Sequence, residues 1–105
     1  MSLVTTHVLD TAAGRPAAGI AVRLESADGA EIARGRTDDD GRVRDLGPDE
    51  VDPGVYRLVF DTGAYLGPDA FFPEVTVSFR ITDGTQHHHV PVLLSPFSYS
   101  TYRGS

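Results

Sequence analysis

Along most of its length the chain alternates apolar and polar residues with a period of two. "VTVSFRI" (75–81) is the cleanest case, with Val75, Val77, Phe79 and Ile81 on one face. "IAVRLE" (20–25) sets Ile20, Val22 and Leu24 against Ala21, Arg23 and Glu25, and "VYRLVFD" (55–61) sets Tyr56, Leu58 and Phe60 against Val55, Arg57 and Val59. Successive side chains of a strand point to opposite faces, so each segment reads as a half-buried strand. "ADGA" (27–30) predicts a hairpin into a strand over 31–36, and "DDDGR" (38–42) a turn before "VRDL". "GPDEVDPG" (47–54) reads as loop, and "TDGTQ" (82–86) turns the chain into "HHHVPVLLS". A last short strand is expected near 97–102. Only "TGAYLGPDAFF" (62–72) has room for one short helical turn. With residues 3–10 included, this makes about eight strands, the pattern of an all-β antiparallel sandwich or barrel. Short edge strands and Pro91 fit a sheet whose edges are managed, or paired with another subunit.

The 105 residues are read as a single domain, 1–105. A chain this short buries only about two-thirds of its unfolded surface. With no cysteine, neither disulfides nor a thiolate zinc site can supplement the core. Packing and oligomerisation are left to stabilise it. The formal charge of −6 argues against nucleic acid as the main partner. No apolar run approaches the ~20 residues a membrane span needs. "MSLVTTHVLD" lacks a basic region followed by an apolar one, so a soluble, cytoplasmic protein is the expectation.

Four histidines, at 7, 87, 88 and 89, are the first candidates for chemistry. On a strand, His87 and His89 share one face and His88 looks the other way. A polar strand start and a shared metal ion are alternative readings of that pair, with His7 the one histidine left to supply a third ligand. His7 lies on a face with Leu3, Thr5 and Leu9, where an imidazole is half-buried. It is either a hydrogen-bonded structural residue or an acid or base, since histidine exchanges protons near neutral pH. "TDDDGR" (37–42) departs from the EF-hand pattern, whose sixth position is glycine: counted from Asp38, that position is Val43. A solvated turn explains its aspartates. Arg42, just beyond, is either solvent-facing or aims its planar fork of donors at a carbonyl or carboxylate.

The segments "THVLDTAAGRPAAGIAVRL", "TDDDGR", "YRLVFDTGAY", "FFPEVTVSF" and "HHHVPVLLSPFSYSTYRGS", in this order, resemble the transthyretin-like 5-hydroxyisourate hydrolases. The terminal "YRGS" is the most specific of them, because it separates these hydrolases from the hormone-carrying transthyretins of the same fold. The resemblance implies a transthyretin-like (prealbumin-like) sandwich and a homotetramer, a dimer of dimers with sites in a channel between subunits. It also implies hydrolysis of 5-hydroxyisourate to 2-oxo-4-hydroxy-4-carboxy-5-ureidoimidazoline in urate breakdown, with no cofactor. Carried over by position, the catalytic residues fall on His7, Arg42 (not Arg44), His89 and Ser105. Substrate contacts fall on His7, Arg42, Tyr102, Arg103 and Gly104. The family's usual tyrosine is replaced by His88, where altered packing or solvent contact is expected. No metal is implied, although His7, His87 and His89 form a candidate set for adventitious zinc that would inhibit. A small-ligand carrier without catalysis and a structural prealbumin-like module are the alternatives. The terminus is therefore expected to be ordered, not frayed.

Overall fold

The alternating segments pair into two sheets that face each other across a shared apolar core. The computed structural model describes residues 2–105. In chain order its strands are β1 Val4–Asp10, β2 Arg15–Pro16, β3 Ala21–Ser26, β4 Glu31–Arg36, β5 Arg42–Leu46 and β6 Gly54–Phe60. The short helix α1, Thr62–Leu66, precedes β7 Val75–Ile81, β8 His88–Leu94 and β9 Tyr99–Thr101. One sheet runs β4-β3-β6-β7. The other runs β2-β1-β8-β9, with β5 beside the first half of β1 where β2 borders the second. Among the described residues no helix is long and apolar enough to cross a membrane.

The period-two faces are the ones that close the core. Val22 and Leu24 from β3, Leu58 and Phe60 from β6, and Val75 and Ile81 from β7 meet Val4 and Val8 from β1 and Val92 and Leu94 from β8. Each large side chain enclosed this way contributes about 1.5–3 kcal/mol. The helical turn expected within 62–72 is α1. Asp61 caps it by accepting from the Ala64 N–H, and Gly67 ends it at φ +109°.

Three features differ from the sequence reading. β2 is a two-residue strand that no alternation could announce, which brings the strands to nine. β1 and β8 run parallel, from Val4↔His88 to Asp10↔Leu94, whereas the other strand pairs are antiparallel. The chain leaves β7 in one sheet and enters β8 in the other, and this crossover sends β8 in the direction of β1. Alternation reports which face a residue takes and carries nothing about its neighbour strand. Pro91 is likewise not on an edge strand, because β8 lies between β1 and β9.

The "TDDDGR" turn is built by its own side chains and backbone. Asp38 Oδ1 accepts from the N–H groups of Asp40 and Arg42, both at 2.9 Å. These donors, Arg42 first, hold the Asp38 carboxyl below its ordinary value. Gly41 stands at φ +77°, which glycine tolerates and other residues resist. A Cβ there would also sit 2.3 Å from the carbonyl oxygen of Val8. The Val8 N–H donates to Gly41 O at 2.7 Å, so the turn is tied onto β1 one residue from His7. Gly41→Ala is expected to cost about 2–4 kcal/mol through backbone strain and overpacking. Thermal or urea unfolding monitored by circular dichroism measures it.

Candidate active site

The site lies on the face of the β1–β8 sheet turned away from the core. On β1 the residues left to that face are Thr5, His7 and Leu9, each half-buried, because Val4, Thr6 and Val8 point inwards. Parallel pairing puts His89 beside Thr5 and Pro91 beside His7. On the other side of β1, His7 pairs with Arg42. A bulge next to this pair sets two β5 residues, 44 and 45, against Thr5 alone. A histidine, an arginine and a second histidine, 82 residues apart at the extremes, are thus brought onto one patch of sheet.

The open cleft on this face measures about 270 Å³, and Thr5, Arg42, Arg44, His87, His89 and Ser105 line it. That is close to the lower end of small-molecule sites, ~300 Å³, and suits a single small ring system. The imidazoles of His87 and His89 are near-parallel, with centroids 6.4 Å apart. Both are tethered to one hydroxyl: Thr5 Oγ1 lies 2.9 Å from His87 Nε2 and 2.8 Å from His89 Nδ1. His89 Nε2 is therefore the nitrogen left open to a further partner. His7 is held differently, its Nε2 2.8 Å from the carbonyl oxygen of Asp40. A carbonyl only accepts, so Nε2 carries the proton and neutral His7 keeps its lone pair on Nδ1. Burial holds His89 below the ordinary histidine value, and the positive charge of Arg42, with that of His87 and His7 when they are protonated, pushes the same way. Near neutral pH the His89 ring is uncharged and basic.

Of the residues singled out from the sequence, Arg42, His89 and Ser105 meet at the cleft, and His7 is beside it on β1. Two of the other terminal residues go elsewhere within the chain. Tyr102 and Arg103 line a separate groove of about 210 Å³ with Phe79, Arg80 and His88. Gly104 N–H donates to His89 O at 2.8 Å, and a Cβ on Gly104 would come within 2.5 Å of His89 Cδ2. Only glycine lets the tail lie this close to the imidazole. Among the described residues no three histidines or carboxylates are gathered closely enough to hold a metal ion. His7, His87 and His89, the candidate zinc set, are not gathered into such a group, and one ring nitrogen of each is held by the Thr5 hydroxyl or the Asp40 carbonyl. His88 is turned to the opposite face and only 4% exposed, with Nδ1–H donating to Gln86 O at 2.6 Å. It is largely buried at the floor of the groove that Tyr102 and Arg103 line, so the expected difference is one of packing. Thr5 is the residue the sequence did not flag; its place on the His7 face was visible, its pairing with His89 was not.

The HIUase/Transthyretin family matches residues 4–104. A 5-hydroxyisourate hydrolase of Mus musculus is 48% identical over 99% of this chain and 96% of its own length. The structure of Klebsiella pneumoniae 5-hydroxyisourate hydrolase superposes with a TM-score of 0.89 at 35% identity, covering 100% of both chains. A sea bream transthyretin solved in complex with thyroxine gives a TM-score of 0.86 at 34% identity, covering 97% of this chain and 94% of that one.

Gly104→Ala forces the tail off the His89 ring and lets water reach it. The His89 pKa is then expected to rise towards its ordinary value of 6.5, because burial is the main cause of its depression. Proton NMR titration of the imidazole resonances reads the shift.

Proposed function

Since the chain belongs to the HIUase/transthyretin family, we propose that it hydrolyses 5-hydroxyisourate to 2-oxo-4-hydroxy-4-carboxy-5-ureidoimidazoline in the cleft between Arg42 and His89. The observation that carries this reading is the neutral, half-buried His89 with its Nε2 open beside a guanidinium. His89 Nε2 takes a proton from water as that water attacks the ring carbonyl. The carbonyl oxygen becomes an oxyanion, and Arg42 stabilises it with charge-assisted hydrogen bonds. As the intermediate collapses and the ring C–N bond breaks, the same histidine returns the proton to the leaving nitrogen. His7, fixed by the Asp40 carbonyl, orients the water through Nδ1. Ser105, which lines the cleft, is assigned a hydrogen bond to the bound ring.

Tyr102 and Arg103 enter the reading through assembly. We propose a homotetramer, a dimer of dimers in which copies of this outer sheet face form a channel and Tyr102, Arg103 and Gly104 fix the ring's orientation. In support, β9 is three exposed residues at the end of its sheet, an edge suited to pairing with a second copy. The carrier reading, favoured by the similarity to the thyroxine-bound transthyretin, is weakened by the two arginines and two histidines of the cleft, which an apolar ligand does not need.

The test is a coupled ultraviolet assay in which urate oxidase generates 5-hydroxyisourate from urate. The protein is expected to accelerate decay of the intermediate; decay at the spontaneous rate would overturn the hydrolase and favour the carrier. Arg42→Ala is expected to lower kcat/KM by about 10²–10³-fold, the usual effect of losing an oxyanion donor. The acid limb of the pH–rate profile should lie below pH 6.5, because the base must be deprotonated and its folded pKa is depressed. Removing residues 102–105 should leave the β spectrum intact, since β9 ends at Thr101, and abolish most activity.

A further inference from the structure

Two imidazoles that share one hydroxyl cannot choose their proton positions independently. Thr5 Oγ1 has a single proton to give, and its contacts to His87 Nε2 and His89 Nδ1 are both of full hydrogen-bond length, 2.9 and 2.8 Å. In one arrangement His89 Nδ1–H donates to Thr5, and Thr5 donates to bare His87 Nε2. Both rings then carry their proton on Nδ1, and His89 Nε2 is a base. In the other, His87 Nε2–H donates to Thr5, and Thr5 donates to His89 Nδ1. Both rings then carry it on Nε2, and His89 is an acid. The tautomers change together.

We propose that Thr5 is a positioning residue that relays a proton between His89 and His87. The proposal rests on the hydrolase reading of the site and adds a role for two residues which that reading leaves idle. When His89 Nε2 takes a proton from water, its Nδ1 proton passes to Thr5 Oγ1, and the hydroxyl's own proton passes to His87 Nε2. His89 returns to neutral, now with its proton on Nε2, aimed at the leaving nitrogen. His87 holds the positive charge. After the leaving nitrogen takes the Nε2 proton, the relay runs backwards and restores both rings, so no proton is gained or lost.

The surroundings suit this transfer. His89 is half-buried and is faced by Arg42 and Arg44 from β5, His7 from β1 and the chain end at Ser105. A cation on the buried ring is penalised by its enclosure and by Arg42, whereas His87 is exposed at the mouth of the cleft, where water screens the charge. Parallel pairing sets Thr5 beside His89, and its hydroxyl reaches both rings.

Two measurements test the relay, one of which needs no substrate. Nitrogen-15 NMR of the histidine rings should show His87 and His89 in the same tautomer, titrating as a coupled pair in the native protein and in Thr5→Ser, and independently in Thr5→Val. Native His89 as Nδ1–H with His87 as Nε2–H would overturn the proposal, because Thr5 would then accept from both rings and pass nothing on. Unchanged titration in Thr5→Val would overturn it too. In the hydrolase assay, Thr5→Val is expected to lose on the order of tenfold or more in kcat with little change in KM, a share of the ~10²–10⁴-fold that positioned acid–base catalysis supplies. Thr5→Ser should restore most of it. In a His87→Gln background Thr5→Val should add almost no further loss; a full, additive loss there would make Thr5 a prop for His89 alone. A native protein inactive on 5-hydroxyisourate would sink the hydrolase reading while the NMR result still decided the hydrogen-bond chain.

Discussion

Everything at the cleft depends on the parallel pairing of β1 with β8. These strands come from opposite ends of the chain, and their register sets Thr5 beside His89 and His7 beside Pro91. A slip of one residue would turn Thr5 and His7 into the core and Val4 and Val8 out to water. The register is therefore enforced by burial: Val4, Val8, Val92 and Leu94 are almost wholly enclosed. The same apolar contacts that stabilise the sandwich align the polar groups on its other face.

The second constraint is the turn that delivers Arg42. Asp38, Asp40 and Gly41 look like a cation loop in sequence, but Asp38 spends its carboxylate on the backbone of its own turn. Gly41 then fits under the Val8 carbonyl, and the Asp40 carbonyl fixes the His7 ring. One tight turn fixes the backbone of Arg42 and holds the His7 imidazole, so its rigidity shapes the cleft as much as the fold.

The tail shows a similar economy. The antiparallel register of β8 with β9 continues to the bridge between His89 and Gly104, which sets Pro91 opposite Tyr102. Proline has no N–H for the ladder. The strand accordingly ends at Thr101, whose hydroxyl donates to Pro91 O instead. The chain rejoins at Gly104, where a missing side chain makes room for the His89 ring. The terminus is held by backbone hydrogen bonds on either side of a gap, which is why Tyr102 and Arg103 can turn towards the neighbouring groove while Ser105 reaches the cleft.

Much of this was legible in the residues. The alternation of Val75 to Ile81 and of Tyr56 to Phe60 determined the strands and their inward faces, because a strand exposed to water on one side must segregate its side chains. The opposite facing of His88 and His89 followed from the same geometry, and glycine and aspartate marked the turn before Arg42. What the sequence could not determine was adjacency. The direction of β8 relative to β1, the pairing of Thr5 with His89, the two-residue β2 and the separation of Tyr102 from Ser105 all arise when distant segments share one core. Side-chain period is a local property of the backbone. Which strands become neighbours is decided by how two sheets bury their apolar faces together, and that exists only in the folded chain.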